Sequence, residues 1–222
     1  MTANARILDL GVRPYREVWE LQRRLHTAVR EGREANTWIV VEHEPVITLG
    51  RQAKRENLLR SEEELVARGI DVVEIERGGD VTYHGPGQLV VYPIRRLERF
   101  REVVPLVRSL EGAVIDCCAR FGVAGERWSD HAGVWTGRNQ ICAIGLAVQR
   151  MVSMHGLALN VSTSLDYDRL INPCGLRDRG ITSLSAELGR RVAVAEAKSV
   201  LLDELSRAFD VTVFCDETVA VA

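Results

Sequence analysis

Lysine is almost missing from this chain. Of its 29 basic residues only Lys54 and Lys198 are lysines, and the rest are arginines. Arginine stays protonated in folded proteins and does not readily pass protons, so chemistry that needs a lysine has two places to find one. Excess charge is missing as well. A formal net charge of −2 leaves no electrostatic footprint for nucleic acid or for an anionic membrane surface. No apolar run approaches the roughly 20 residues that cross a bilayer, and Met1 to Arg6 lack the apolar core of a secretory signal. Five cysteines make an odd count, and none stands in CxxC spacing. Reduced thiols in a cytoplasmic protein are therefore expected rather than a disulfide framework. No Cys/His cluster has ligand spacing, which argues against zinc.

What is present is enough apolar residue for a sizeable core. The chain has 222 residues, 46% of them hydrophobic, and a single domain over 1–222 is expected. Ile7 to Leu10 reads as a first strand. Pro14 opens an amphipathic helix with Val18, Leu21, Leu25 and Val29 on one face. Thr37 to Glu42 reads as a buried strand, with Val46 to Gly50 as its hairpin partner across His43-Glu44-Pro45. Ser61 to Glu64 has capping-box spacing and starts a short helix. Asp71 to Glu76 and Gln88 to Ile94 are strands on either side of a glycine-rich stretch. Val103 to Phe121 is the longest helix, with Val104, Val107, Leu110, Val114, Cys117 and Cys118 on its stripe and Gly122 as its stop. Gly133 to Trp135 and Ile141 to Val148 form a hairpin, Met154 to Val161 is a further strand, and Val192 to Phe209 closes the chain as a helix with a tail. Strands outnumber helices and often follow one another directly, so the class is α+β, with a mixed or antiparallel sheet packed by helices.

The glycine-rich stretch Arg77-Gly-Gly-Asp-Val-Thr-Tyr-His-Gly-Pro-Gly-Gln88 organises the rest. A strand follows it, not a helix, which excludes a Rossmann pyrophosphate loop. Glycine permits positive φ and close backbone approach to a ligand, and here Arg77, Tyr83 and His84 stand among the glycines. Cys174, held between Pro173 and Gly175, is the thiol placed to act as a nucleophile. Cys117, Cys118, Cys142 and Cys215 read as apolar filler. His84 and His155 each adjoin a glycine. His26 reads as a surface residue, and His43 and His131 as turn residues.

Three motifs, Arg77 to Gln88, His155-Gly-Leu-Ala-Leu-Asn160 and Pro173-Cys-Gly175 followed by Thr182-Ser-Leu184, resemble those of the lipoyl(octanoyl) transferases. The resemblance runs in order from the first helix to Leu188. It implies a fold like the catalytic core of biotin and lipoate protein ligases. It also implies octanoyl transfer from octanoyl-acyl carrier protein to a lysine of lipoyl domains, including those of 2-oxoacid dehydrogenases and the glycine cleavage H protein, with no cofactor. By the same resemblance Arg77, Gly78, Gly79, Asp80, Val81, Thr82, Tyr83 and His84 line the acyl and lysine pocket. Ala143, Ile144 and Gly145 and Gly156, Leu157 and Ala158 form the facing walls, and Cys174 carries the acyl group as a thioester. An arginine-rich rim of Arg51, Arg55, Arg77, Arg95, Arg96, Arg99 and Arg101 suits acidic partners.

The chain departs from the family pattern at one position. Family members carry a lysine in a run like Lys-Ile-Ala-Ala-Ile-Gly; here the run is Gln140-Ile-Cys-Ala-Ile-Gly145. Glutamine donates a hydrogen bond but carries neither the charge nor the proton. Slowed transfer is one expectation, and a rewired site using Arg77 with His84 or His155 is another. The alternatives are an ATP-dependent lipoate ligase and a non-catalytic acyl- or lipoyl-domain-binding homologue.

Overall fold

The computed structural model describes residues 3–129, 131–172 and 179–215. The chain begins with strand β1 (Ala3–Arg13), and helix α1 (Tyr15–Arg30) follows directly after Pro14. Strands β2 (Thr37–His43) and β3 (Val46–Leu49) precede the short helix α2 (Glu62–Ala67), which carries the complete capping box between Ser61 and Glu64. Next come β4 (Asp71–Glu74), β5 (Val81–His84) and β6 (Gln88–Ile94), then helix α3 (Val103–Arg120). The second half holds β7 (Gly133–Thr136), β8 (Asn139–Gln149), β9 (Val152–Asn160) and the two-residue β10 (Gly180–Ile181). Helices α4 (Leu184–Leu188) and α5 (Val194–Phe209) and strand β11 (Val211–Cys215) complete it.

The main sheet runs β10-β8-β9-β6-β2-β1-β11, with β7 paired to β8, and a smaller sheet runs β4-β3-β5. Both are mixed. β1 is parallel to β2 and to β11, whereas β6, β9 and β8 are joined antiparallel. The alternation of side chains along a strand divides the core into two layers. Trp38, Val40, Leu89, Val91, Leu157 and Leu159 point toward α3 and α5. Ile39, Val41, Val90, Tyr92 and Ile94 point toward α1, joined there by Val46 and Val73 of the small sheet. Strands buried on both faces read as continuous apolar runs, as Trp38 to Val41 does.

Four local expectations are corrected. Val46–Leu49 does not pair with β2, whose edges are taken by β1 and β6; it pairs with β4 and β5 in the other sheet. Val104 is exposed, because counting back from Leu110 in helical steps reaches Leu106 and Val103 instead. His26 is buried, its Nε2 3.0 Å from the Gln149 carbonyl oxygen. The end of the chain is a strand rather than a tail, since Val211, Thr212, Val213 and Phe214 extend alongside β1.

Candidate active site

The glycine-rich stretch is not loop throughout. Its middle is β5, which lies along β3, and its ends are tied to the body of the protein. Gly78 N–H donates to the Leu146 carbonyl at 2.9 Å, and Gly87 N–H donates to Glu42 Oε2 at 2.9 Å. The Asp80 carboxylate accepts from the backbone N–H groups of Val81 at 2.8 Å and Lys54 at 3.0 Å, and from the Asn57 amide. Asp80 is thus a brace between this stretch and residues 54–57, while the Lys54 residue itself is exposed.

These ties form one wall of a narrow cavity of about 50 Å³. Arg77, Gly78, Gly79, Asp80, Thr82 and His84 form that wall; Gln140, Ala143, Ile144 and Gly145 of β8 and His155, Gly156, Leu157 and Ala158 of β9 form the facing one. Of the residues that the resemblance placed here, Val81 and Tyr83 are the exceptions. Alternation along β5 turns them to the other side, where they line a smaller cavity with Tyr167 and Ile171, and Tyr83 stacks on Tyr167 at 4.6 Å. Thr82, Gln140, Ala143 and Ala158 border both cavities. Cys174 lies outside the described residues.

Small residues are required where backbones meet. A Cβ on Gly156 would sit 2.1 Å from the Val91 carbonyl oxygen, so β9 and β6 close up only around glycine. Ala143, Gly145, Gly156 and Ala158 leave the floor shallow in side chain and apolar.

The cavity's charge is set by one buried cation. The Arg77 guanidinium donates to the Thr48 carbonyl and hydroxyl oxygens, both at 2.9 Å, and to the Gly78 carbonyl at 3.1 Å. Arg77 therefore belongs to the cavity and not to an exposed rim. Of the other arginines expected to form that rim, Arg51, Arg99 and Arg101 are exposed and three are engaged within the protein. Arg55 pairs with Glu62 and Glu74, Arg95 lies 5.1 Å over the Phe209 ring, and Arg96 donates to carbonyls at the end of α1.

Histidines and tyrosines surround this cation. Tyr15 and Tyr92, which sequence reasoning did not single out, line the cavity too. Their apolar neighbours in α1 and β6 gave no sign of it, since each falls on an ordinary core stripe. His43 Nδ1 lies 3.1 Å from the Arg13 carbonyl and its Nε2 2.8 Å from the Tyr92 hydroxyl. A carbonyl only accepts, so Nδ1 carries the proton and Nε2 accepts from Tyr92. Burial pushes the phenols of Tyr15 and Tyr92 upward, and both stay neutral donors. His155, at φ 58°, has its N–H bonded to Gln22 Oε1 at 2.8 Å, and its Nε2 stands 3.5 Å from Glu76 Oε2. Burial lowers the His155 imidazole against the pull of Glu76. Burial also opposes ionisation of Glu76, but His155, its own backbone and the Trp19 indole outweigh it and hold the carboxyl at about 2. Cys117, Cys118 and Cys142 are buried in the core; burial raises all three thiols, Cys118 to about 12. They are neutral thiols at ordinary pH and poor nucleophiles.

The buried imidazoles make the fold acid-sensitive. Burial lowers His43 from its ordinary 6.5 to about 4. Its folded value is depressed, so its neutral form favours the folded state; that contribution is complete above pH 6.5 and is lost as pH falls toward 4. The full loss corresponds to about 3 kcal/mol. We expect Tm to fall across this window and His43→Gln to make the decline shallower. A decline of unchanged steepness in that variant would remove His43 as its source.

Comparison with known proteins places this geometry in a family. The family model described as the lipoyl protein ligase A/B catalytic domain matches residues 14–206. An octanoyltransferase of Chloroflexus aggregans is 45% identical over 208 residues, covering 92% of this chain and 94% of the relative. One from Porphyromonas gingivalis is 50% identical over 194 residues, covering 82% of this chain but 39% of that longer protein. Among solved structures, a lipoate-protein ligase A bound with ATP superposes with a TM-score of 0.76 at 16% identity, over 97% of this chain and 89% of its own. A bipartite lipoate protein ligase studied with its E2 lipoyl domain from Thermoplasma acidophilum gives 0.73 at 15% identity, over 97% and 87%. The biotin protein ligase of Aquifex aeolicus gives 0.51 at 15% identity, over 94% and 70%. These superpositions carry the α+β ligase-core fold, and the sequence matches carry the family: the chain belongs to the octanoyltransferases of the lipoyl protein ligase A/B catalytic-domain family.

Proposed function

We propose that this chain, acting as one domain in the cytoplasm, transfers an octanoyl or lipoyl group from a carrier-protein thioester to a lysine ε-amine of lipoyl domains. The observation that carries this reading is the cavity between β5 and the β8–β9 pair. It has a floor of glycine, alanine, isoleucine and leucine and one buried guanidinium at its wall. An unbranched acyl chain needs an apolar slot free of bulky side chains, and the small residues of β8 and β9 supply one. Arg77 supplies a fixed positive potential toward which a carbonyl or its oxyanion is drawn. In this reading Cys174 takes the acyl group as a thioester, which divides the transfer into two exchanges of modest difficulty. Gln140, at the cavity wall, stands where the family's lysine would lie and offers an amide donor in its place. The donor is octanoyl-acyl carrier protein; the acceptors are lipoyl domains of 2-oxoacid dehydrogenases and the glycine cleavage H protein. The name of the relatives and the lipoyl domain studied with the archaeal ligase support that partnership.

The test is intact-mass spectrometry after mixing the full chain with octanoyl-acyl carrier protein and then with an unmodified lipoyl domain. We expect one octanoyl group on the protein and its later appearance on the lipoyl domain. AMP release from ATP and lipoate, with no octanoyl gained, would replace this reading with a ligase. Tight octanoate binding with neither product would leave a binding homologue.

A further inference from the structure

We propose that His84 Nε2 takes the proton of the attacking nucleophile in this cavity, the part that an ionisable side chain at position 140 would otherwise play. The inference rests on the acyl-transfer reading and chooses His84 over His155, both of which the sequence leaves open as the proton acceptor.

The argument begins at a backbone carbonyl. Asn160 Nδ2 donates to the Thr182 carbonyl oxygen at 3.0 Å and to the Tyr167 hydroxyl at 3.0 Å. A carbonyl cannot donate, so the Asn160 amide has one orientation and its Oδ1 faces Gln88. Gln88 Nε2 donates to that Oδ1 at 2.9 Å and to the Tyr83 carbonyl at 3.2 Å. The second amide is thereby fixed as well, with its Oε1 2.8 Å from His84 Nδ1. Oε1 only accepts, so the His84 proton sits on Nδ1, and in the neutral ring Nε2 is left with a lone pair. The relay runs through β9, β6 and β5, three strands of the two sheets, and it holds the ring by one nitrogen.

Of the other buried imidazoles of the site only His43 has both ring nitrogens hydrogen-bonded, its Nε2 accepting from Tyr92. His155 Nε2 makes no hydrogen bond among the described residues and lies 3.5 Å from the Glu76 carboxylate, which draws its proton-bearing form. His84 Nε2 accepts no hydrogen bond among the described residues. Its ring lies parallel to Tyr15 at 5.9 Å and edge-on to His43 at 5.8 Å, and it lines the cavity opposite Gln140. With Nδ1 turned to Gln88, Nε2 is the ring nitrogen left to serve the cavity that His84 lines. The charged and titratable groups around it are Arg77 at the wall, His43 from β2, His155 from β9, Tyr15 from α1 and Tyr92 from β6. Burial first, then His43, Arg77 and His155, keep the imidazole neutral, while the Gln88 bond favours its protonated form once a proton arrives.

In the second half-reaction the lysine amine nitrogen bonds to the acyl carbonyl carbon and the carbon–sulfur bond breaks, its electron pair leaving on sulfur. His84 Nε2 accepts the amine proton and returns it to that sulfur, so the imidazole ends neutral and the products are an amide and a thiol.

Two measurements test this. In the full chain labelled with ¹⁵N-histidine, the ring nitrogen shifts should report His84 as the Nδ1–H tautomer with a bare Nε2 at neutral pH; this needs no substitution. In single-turnover transfer from octanoyl-pantetheine to a lipoyl domain, His84→Gln should lower the rate by about 100-fold with the acceptor KM unchanged. Added imidazole should restore part of the rate to His84→Gly. An Nε2–H tautomer at His84, or a His84→Gln variant with the wild-type rate, overturns the proposal. If the unsubstituted chain gives the expected tautomer yet transfers nothing, the acyl-transfer reading fails and His84's role fails with it.

Discussion

Cys174→Ala is expected to abolish both the octanoyl adduct and the passage of octanoyl to a lipoyl domain. The expected loss is on the order of 10⁴-fold or more, as when a covalent catalyst loses its nucleophile. Cys117, Cys118 and Cys142 are unfit to replace it. Cys117 and Cys118 lie on the buried face of α3, Cys142 is enclosed in β8, and burial keeps all three protonated. The chain on either side of Cys174 is anchored at the cavities. Ile171 lines the smaller one, and Asn172 N–H donates to the Asn57 carbonyl at 2.8 Å. On the far side Gly180 and Ile181 pair with Asn139 and Gln140, and Thr182 N–H donates to the Gln140 carbonyl at 2.9 Å. The check is intact mass of protein and lipoyl domain over time. An octanoyl group that persists on the Cys174→Ala variant would remove the nucleophile assignment; its localisation by fragmentation would name the true acceptor.

Much of this site was legible before the fold because its parts are backbone-dominated. Glycines that must let strands meet, such as Gly156 against the Val91 carbonyl, leave a sequence mark that side chains in a generic core do not. The facing Ala143-Ile-Gly145 and Gly156-Leu-Ala158 runs fell into antiparallel register as neighbours for the same reason. What escaped notice depends on distance. Tyr15 and Tyr92 occupy ordinary apolar phases of a helix and a strand, and only the packing of α1 over β6 and β9 brings them to Arg77 and His84. The hairpin expected between β2 and β3 failed because local adjacency says nothing about two edges already taken by β1 and β6. The tautomer of His84 depends on a relay spanning Gln88, Asn160 and Thr182, separated by up to 22 residues between bonded partners beyond the Gln88–Asn160 step. No periodicity encodes such a chain.

Gln140→Lys is expected to raise the transfer rate by up to about 10²-fold, because His84 already supplies part of the roughly 10²–10⁴-fold that a positioned proton-transfer group contributes. Gln140 is 6% exposed, and its Nε2 has no hydrogen bond among the described residues. It borders both cavities, and it packs against Gly133, where an added Cβ would come within 3.1 Å of that nitrogen. An unpaired donor buried at a cavity wall costs about 1–3 kcal/mol, and an acyl carbonyl is the acceptor that would satisfy it. A lysine there would reach the same space with a group able to give and take protons. Burial and the Arg77 cation would depress its ammonium, so the variant should gain a limb in its pH–rate profile, below the ordinary lysine range, that the present chain lacks. The buried charge should also lower Tm. The decisive comparison joins this substitution to His84→Gln in a double-mutant cycle. If His84 moves the proton when residue 140 cannot, His84→Gln should cost far less in the Gln140→Lys background than alone. Equal costs in both backgrounds would mean that the two positions act on separate steps. A Gln140→Lys variant no faster than its parent would show that proton transfer does not limit this enzyme, and that its glutamine is an accommodated residue rather than a defect.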